Sequence, residues 1–355
     1  MSIRNKTLLA VLLCGVFGVA AAAPAGGSSQ RKSQDPNSDP TTVRPGTSDK
    51  QPFGAGKAGL AFSINNGGSW SKSINLDDGP VKYIRAKYQA PINGNDPYAN
   101  VDGTRNLQYL RLGDVKPVIG WFYNPTLGQV WYENHHNNTE VYSVRQIANP
   151  AIPAAPKFGG LVIAKVPGMG GSNGNVFFGE WAPRAGNPQQ ISTDLNMADG
   201  KRTVWYVGDN PTGNTTGVRT ATYNVLGINK HTPGQNDFYT GNTTGVRTAT
   251  YNVLGINKHT PGQNDFYTGQ VTATFGSGIT GTMAGRISRS SDHVDFDHAK
   301  IDNRNGTFAD PSQGMTGRFY GNQAAAMAGY TTRGTGNVGD DVAFGGSATD
   351  IETRK

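Results

Sequence analysis

Beyond about residue 58, short runs of alternating or aromatic-rich residues are broken by Gly, Asn, Asp or Pro every eight to twelve positions, the tempo of an antiparallel β-protein. Candidate strands fall at 81–88, 118–123, 129–132, 141–144 and 161–166 in the first half. In the second half they fall at 203–207, 221–228, 270–275, 278–287, 294–301, 315–320 and 341–344, a spacing that predicts a closed or nearly closed barrel. No amphipathic helix longer than two turns is predicted, although Ala324–Ala328 could form one turn. The pattern therefore predicts an all-β chain. An N-terminal β-rich handle domain over 59–198 is followed by a C-terminal antiparallel β-barrel of about eight strands over 199–355. The 49 glycines are interleaved with Val, Phe, Tyr and Thr, as at the bends and bulges of curved sheets.

The start of the chain reads differently. Arg4 and Lys6 precede an apolar run from Leu8 to Val19, which is followed by Ala20–Ala23, the layout of a secretory signal cut after Ala22. The apolar run is too short to span a bilayer, which takes about 20 residues. Cys14 is the only cysteine, and with Leu13 before it a lipid anchor at that position is the less favoured reading. From 23 to 58 the chain is rich in Ser, Pro, Gly, Asp and Lys, and it reads as a disordered tether. Removing Arg4 and Lys6 from the formal charge of +7 leaves +5, too small and scattered to argue for nucleic acid. A secreted chain without cysteine must be stabilised by its own core, which more than 300 residues allow.

One repeat interrupts the second half. Residues 213–240 recur unchanged at 241–268, a period of 28. Two identical copies do not make a solenoid, which needs several copies to bury a core. The repeat reads as one barrel segment written twice, the extra copy looping out, extending an edge or adding a strand.

Two motifs near the C-terminus are specific. Gly317-Arg318-Phe319-Tyr320-Gly321-Asn322-Gln323-Ala324-Ala325-Ala326-Met327-Ala328-Gly329 resembles the G-x-F-[FY]-G-P-x-A-x-E-[ML]-x-G turn of the barrel shared by transferrin-binding protein B and the hemophilins, and Val342-Ala343-Phe344-Gly345-Gly346 resembles its closing strand. Asn322 and Ala326 stand where that family has Pro and Glu. Phe177-Phe178-Gly179-Glu180-Trp181 and Val204-Trp205-Tyr206-Val207-Gly208-Asp209-Asn210 resemble junction segments of the shorter, hemophilin-like branch. The resemblance covers 176–346, and 59–175 only loosely. It implies export by a Slam-type outer-membrane translocator in a Gram-negative bacterium, a handle domain that holds ligand, and in hemophilins a haem cargo passed to a TonB-dependent receptor.

With that implication, the adjacent pair His135 and His136, in a polar loop between aromatic-rich strands, supplies the candidate iron ligand, with one histidine on iron and the other facing solvent or a propionate. Trp121, Phe122, Tyr123, Trp131, Tyr132 and Tyr142 are candidate walls for the porphyrin. Asn/His-rich loop tips are also common without any ligand, and strand aromatics usually pack a core. His231 and His259, equivalent in the two repeat copies, read as turn residues. Period-2 alternation puts His293, Asp295 and Asp297 on one solvated face, with the spacing wrong for an EF-hand calcium loop. Gly54–Gly59 and Gly170–Gly174 match a dinucleotide fingerprint and a nucleophile elbow by chance, lacking the flanking strand and helix. Nothing argues for an enzyme.

Two functions follow. The first is a secreted or surface-exposed haem-binding protein. The alternative is a surface factor that grips a host protein, or a colonisation factor without a small-molecule ligand.

Overall fold

The computed structural model describes residues 23–29, 43–47, 57–62, 74–93, 96–98, 107–149, 158–189, 191–215, 222–228, 238–244, 248–276 and 278–349. The export signal and Cys14 lie outside the described residues.

Ten strands precede the repeat: β1 (Ala25–Ser28), β2 (Val43–Thr47), β3 (Ala58–Phe62), β4 (Ile74–Asn75), β5 (Tyr109–Arg111), β6 (Thr126–His135), β7 (Thr139–Gln146), β8 (Gly160–Lys165), β9 (Val176–Ala182) and β10 (Thr203–Gly208). Seven of them form an antiparallel sheet in the order β1-β10-β9-β8-β7-β6-β5, while β2, β3 and β4 form a small sheet of their own. Two boundaries drawn from the sequence shift here. Ala25–Ser28, read as tether, pairs with β10, and β10 itself completes the handle sheet instead of starting the barrel.

Two predicted strands are helical. Residues 81–88 continue a π-turn (Asp77–Val81) into α1 (Lys82–Arg85), because the buried residues Val81, Ile84 and Tyr88 recur at helical spacing. Residues 118–123 fall in α3 (Pro117–Phe122), which follows the single turn α2 (Leu112–Val115). Pro117 at the first helical position sets the φ that starts α3 and outweighs the β-propensity of Val118, Ile119 and Trp121.

The second half adds β11 (Thr222–Ile228), β12 (Phe238–Thr244), β13 (Thr248–Ile256), β14 (Tyr267–Thr274), β15 (Thr280–Arg289), β16 (Asp292–Asp295), β17 (Lys300–Asp302), β18 (Thr307–Asp310), β19 (Met315–Tyr320), β20 (Ala326–Thr331) and β21 (Val342–Ala348). The ring β13-β21-β20-β19-β18-β17-β15-β14 closes through β14 onto β13, making an eight-stranded antiparallel barrel with β16 as a flap on β15. Closure leaves the wall without an exposed edge. Phe319 sits at the centre of the barrel core, 5.0 Å from Phe275 and 5.3 Å from Phe308 between ring centroids. The one-turn helix expected at 324–328 is instead a 3-10 turn (Asn322–Ala324) leading into β20.

Both repeat copies build the same hairpin. Leu226 faces Thr240 in β11–β12, and Leu254 faces Thr268, 28 residues on, in β13–β14. Only the second hairpin is in the barrel; the first is a separate two-stranded sheet. The residues after the repeat explain the choice. In the second copy, β14 runs into Val271, Ala273 and Phe275, all buried in the barrel. The first copy runs instead into Thr243, Gly245 and Arg247 at the matching positions, and an arginine in place of Phe275 would bury an unpaired charge.

Deleting either copy produces the same shortened chain, which keeps every barrel residue. The expected outcome is an unchanged β-rich circular dichroism spectrum and a Tm within a few degrees of the full chain. Replacing Val271, Ala273 and Phe275 by Thr, Gly and Arg in that shortened chain should prevent barrel closure.

Candidate functional site

The barrel meets one face of the handle sheet along a tightly packed seam. Tyr320 of β19 lies over Gly208, where a Cβ would come within 2.5 Å of its ring, and Phe178 of β9 lies over Gly345 of β21 with the same closeness. Each unit thus offers a glycine to the other's aromatic ring. Small residues Ala326, Ala328 and Ala343 on the outer barrel wall join the same buried cluster as the sheet. The turn motif that carries the resemblance therefore lies in the docking wall, and Asn322, at the position of the family's Pro, donates its N–H to Asn173 Oδ1 of the handle (3.0 Å).

Two carboxylates are buried in this seam, and the barrel supplies much of what they bind. Glu133, on β6, accepts from His259 Nε2 (2.8 Å) and from the backbone N–H of Gly262 (3.1 Å). His135 Nε2 approaches the same carboxylate at 3.2 Å. The other nitrogen of His259, Nδ1, lies 2.6 Å from Asp265 Oδ1. Glu180, on β9, accepts from the backbone N–H of His259 (2.7 Å) and of Lys258 (2.9 Å), and from Arg202 Nε (2.7 Å). Arg202 in turn donates to the carbonyls of Val338 (2.6 Å) and Asp341 (3.0 Å) in the barrel. His259, read from sequence as a turn residue, is the centre of this network and fully buried.

Burial disfavours the charged forms, but here the partners win. Burial pulls the His259 pKa down, yet the carboxylates of Glu133 and Asp265 on either side push it up to about 10. Burial likewise pushes Glu133 up, and the two histidines bring it down to about 2. At neutral pH the pair is ionised.

The residues proposed as a haem cage are not brought together. His135 lies 11 % exposed by its side chain, with its ring 4.2 Å from that of Phe266 and its Nε2 on Glu133. The side chain of His136 lies outside the described residues. Strand alternation places Tyr132 on the opposite face from His135, and there it stacks on Tyr142 at 5.1 Å and donates to Glu140. Trp131 donates to the carbonyl of Pro97. Trp121 and Tyr123 lie beyond the far end of β6, about 30 Å along the strand from His135 at ~3.3 Å per residue. Glu133, His135, His259 and Asp265 share the seam, but among the described residues no group of three or more His, Cys, Asp or Glu is arranged to hold a metal ion.

What the structure does with Trp121 is unexpected. The β5-α2-α3-β6 connection forms a tip on which Trp121 is 84 %, Phe122 80 % and Val118 78 % exposed, with Ile119 and Tyr123 also exposed. The tip is nonetheless firmly built. α2 and α3 cross at Gly113 and Gly120, where a Cβ on Gly120 would fall 2.1 Å from the Gly113 Cα. Asn124 Oδ1 accepts from the Gly113 N–H (2.7 Å), Leu112 and Val115 are buried beneath, and Lys87 pairs with Asp114 at 2.6 Å. Arg111 and Lys116 flank the tip, and neither is in an ion pair among the described residues. The sequence signal was the Gly-Trp-Phe-Tyr run beside a proline, which reads equally as a strand.

No family model matches the chain, and no curated protein is detectably similar to it. Among solved structures, a surface lipoprotein is similar at 16 % identity and a TM-score of 0.27, over 63 % of this chain and 99 % of that one. HpuA from Kingella denitrificans, solved in complex with human haemoglobin, is similar at 13 % identity and a TM-score of 0.24, over 64 % of this chain and 90 % of that one. At such identities and scores neither likeness identifies a function.

The seam makes stability depend on pH with a definite sign. The raised pKa of His259 contributes stability that is complete below pH 6.5 and is lost as the pH climbs towards about 10. The lowered pKa of Glu133 contributes stability present above pH 4.5 and lost as the pH falls towards about 2. Chemical denaturation of His259→Gln at pH 6 should show a loss on the order of 3 kcal/mol relative to wild type, as when one partner of a buried ion pair is removed. The gap should narrow by pH 10; an equal gap at both would show that the ion pair is not its source.

Proposed function

We propose that this protein is a surface-exposed binding module that grips a folded extracellular host protein through the α3 tip. The observation that carries the reading is the preformed, outward-facing cluster of Val118, Trp121 and Phe122 on a rigid support. A contiguous apolar cluster exposed on a folded chain marks an interaction surface, and aromatic anchors held in place before binding lose little entropy on association. The exposed apolar side chains call for an apolar complement on the partner. Arg111 and Lys116 beside it suit a partner with an acidic rim and would speed encounter with it. Export by a Slam-type translocator, and any partnership with a TonB-dependent receptor, are the parts of the proposal that rest on the barrel motifs. Haem cargo rests on the same motifs; among the described residues Trp121, Tyr123 and Tyr132 stand apart from His135.

Haemoglobin, the partner of HpuA in its complex, serves as the first probe, followed by pull-down from human plasma with the mature chain as bait. The double variant Trp121→Ala and Phe122→Ala should lose binding by at least about 100-fold, as expected for two anchors at roughly 1.4 kcal/mol or more each. Its Tm should stay within about 1 °C of wild type, because both side chains are exposed. Undiminished binding by the double variant would remove the tip as the interface. A concentration-dependent dimer in light scattering, abolished by the same variant, would instead make the tip a self-association face.

A further inference from the structure

A second site lies at the barrel end, away from the tip. A cavity of about 420 Å³ opens where the ends of β13, β14 and β15 meet the loop after β20, lined by Lys258, Tyr267, Arg289, Asp292, Arg333 and Asp340 among others. Its charges do not balance. Arg333 is closed on Asp292 at 3.0 Å, which leaves Lys258 and Arg289 with only Asp340 on the opposite side of the count.

Arg289 is the informative residue. Its guanidinium lies 4.4 Å over the Tyr267 ring and donates to the Asn257 carbonyl (2.8 Å), the Asp265 carbonyl (3.0 Å), Asn257 Oδ1 (2.8 Å) and Tyr267 Oη (3.0 Å). Every one of these acceptors is neutral; Tyr267 Oη in turn donates to Asp292, the carboxylate that is closed on Arg333. No carboxylate pairs with Arg289 among the described residues, although it is half-buried. A partly desolvated cation held rigidly by neutral groups is half of an ion pair, and its field is strengthened by the loss of water around it.

Lys258 completes the arrangement. Its backbone is in the left-handed region, at φ 53°, which a lysine adopts only when its surroundings impose it. The constraint is the hydrogen bond from its N–H to the buried Glu180, and the result is an ammonium group beside Gly339 on the cavity wall with no ion-pair partner among the described residues. The seam that fixes the barrel to the handle thereby also aims Lys258.

We propose that this cavity binds an oxyanion, a carboxylate or sulfate group carried on a ligand no larger than a monosaccharide, with the Lys258 ammonium as direct donor and the Arg289 charge beneath it. The same chemistry is offered by a free inorganic anion and by an acidic sugar of a host glycan. The site is independent of the α3 tip.

The test uses the full mature chain at constant ionic strength, titrated calorimetrically with sodium sulfate, with N-acetylneuraminic acid and with neutral N-acetylglucosamine. Saturable binding of at least one anion and none of the neutral sugar is expected. Lys258→Gln should weaken anion binding at least about 5-fold, as should Arg289→Gln, which removes the charge beneath the ligand. Lys258 makes no side-chain contact that the fold needs, so its variant reports on the site even if the arginine variant is unstable. An acidic sugar bound at least about 10-fold more tightly than sulfate assigns the glycan; equal affinities assign the free anion. No saturable anion binding, or an affinity unchanged by Lys258→Gln, overturns the proposal.

Discussion

Glu133 and Glu180, two carboxylates buried on one face of the seven-stranded sheet, set the terms for the rest of the molecule. A carboxylate in that position is costly unless charge and hydrogen bonds reach it. Glu133 is met from the barrel by His259 and the Gly262 N–H; Glu180 is met from the barrel by the N–H groups of Lys258 and His259, and from the handle by Arg202. Separating the two units would strip each carboxylate of its barrel donors, so the handle and barrel act as one body. The reciprocal packing of Tyr320 on Gly208 and of Phe178 on Gly345 draws the backbones close enough for those hydrogen bonds to form.

That rigidity gives the α3 tip its significance. A tip on a flexible hinge would lose much of its binding energy to ordering, whereas this one stands on buried Leu112 and Val115 and is tied through Asp114 to Lys87, just after α1. The same body holds the cationic cavity at the barrel end, where the backbone strain of Lys258 is maintained by Glu180. Both surfaces present their chemistry outward from one framework of sheet and barrel.

Much of the fold was legible in the alternation of side chains. β6, β7, β8 and β19 lie where the apolar and aromatic runs indicate, and β14, β15 and β21 of the barrel overlap the runs at 270–275, 278–287 and 341–344, whereas 203–207 and 221–228, also expected in the barrel, lie in the handle sheet and in a separate hairpin. The failures share a cause. At 81–88 and 118–123, β-branched and aromatic residues raised strand propensity, but Pro80 and Pro117 and the spacing of Val81, Ile84 and Tyr88 favoured helical turns. Val118, Trp121 and Phe122 made no core at all, and an apolar residue in a sequence carries no mark of whether it faces in or out. His135, expected as a candidate iron ligand, lies against Glu133, and the residues expected beside it are elsewhere, because a 10-residue strand separates residues that stand close in sequence and alternation turns Tyr132 away from it.

The repeat marks the dividing line between the two kinds of information. Its 28 residues form the same hairpin with the same register wherever they occur, since turn and strand pairing are local matters that the sequence by itself determines. Which copy enters the barrel was decided by tertiary structure: Val271, Ala273 and Phe275 fill the core behind the second copy, and Thr243, Gly245 and Arg247 cannot. In the same way His259 is a loop histidine by sequence, and it became the buried partner of Glu133 only because barrel closure carries that loop to the handle sheet, 126 residues away along the chain. Contacts at such separation depend on the whole chain having folded, and no local pattern encodes them.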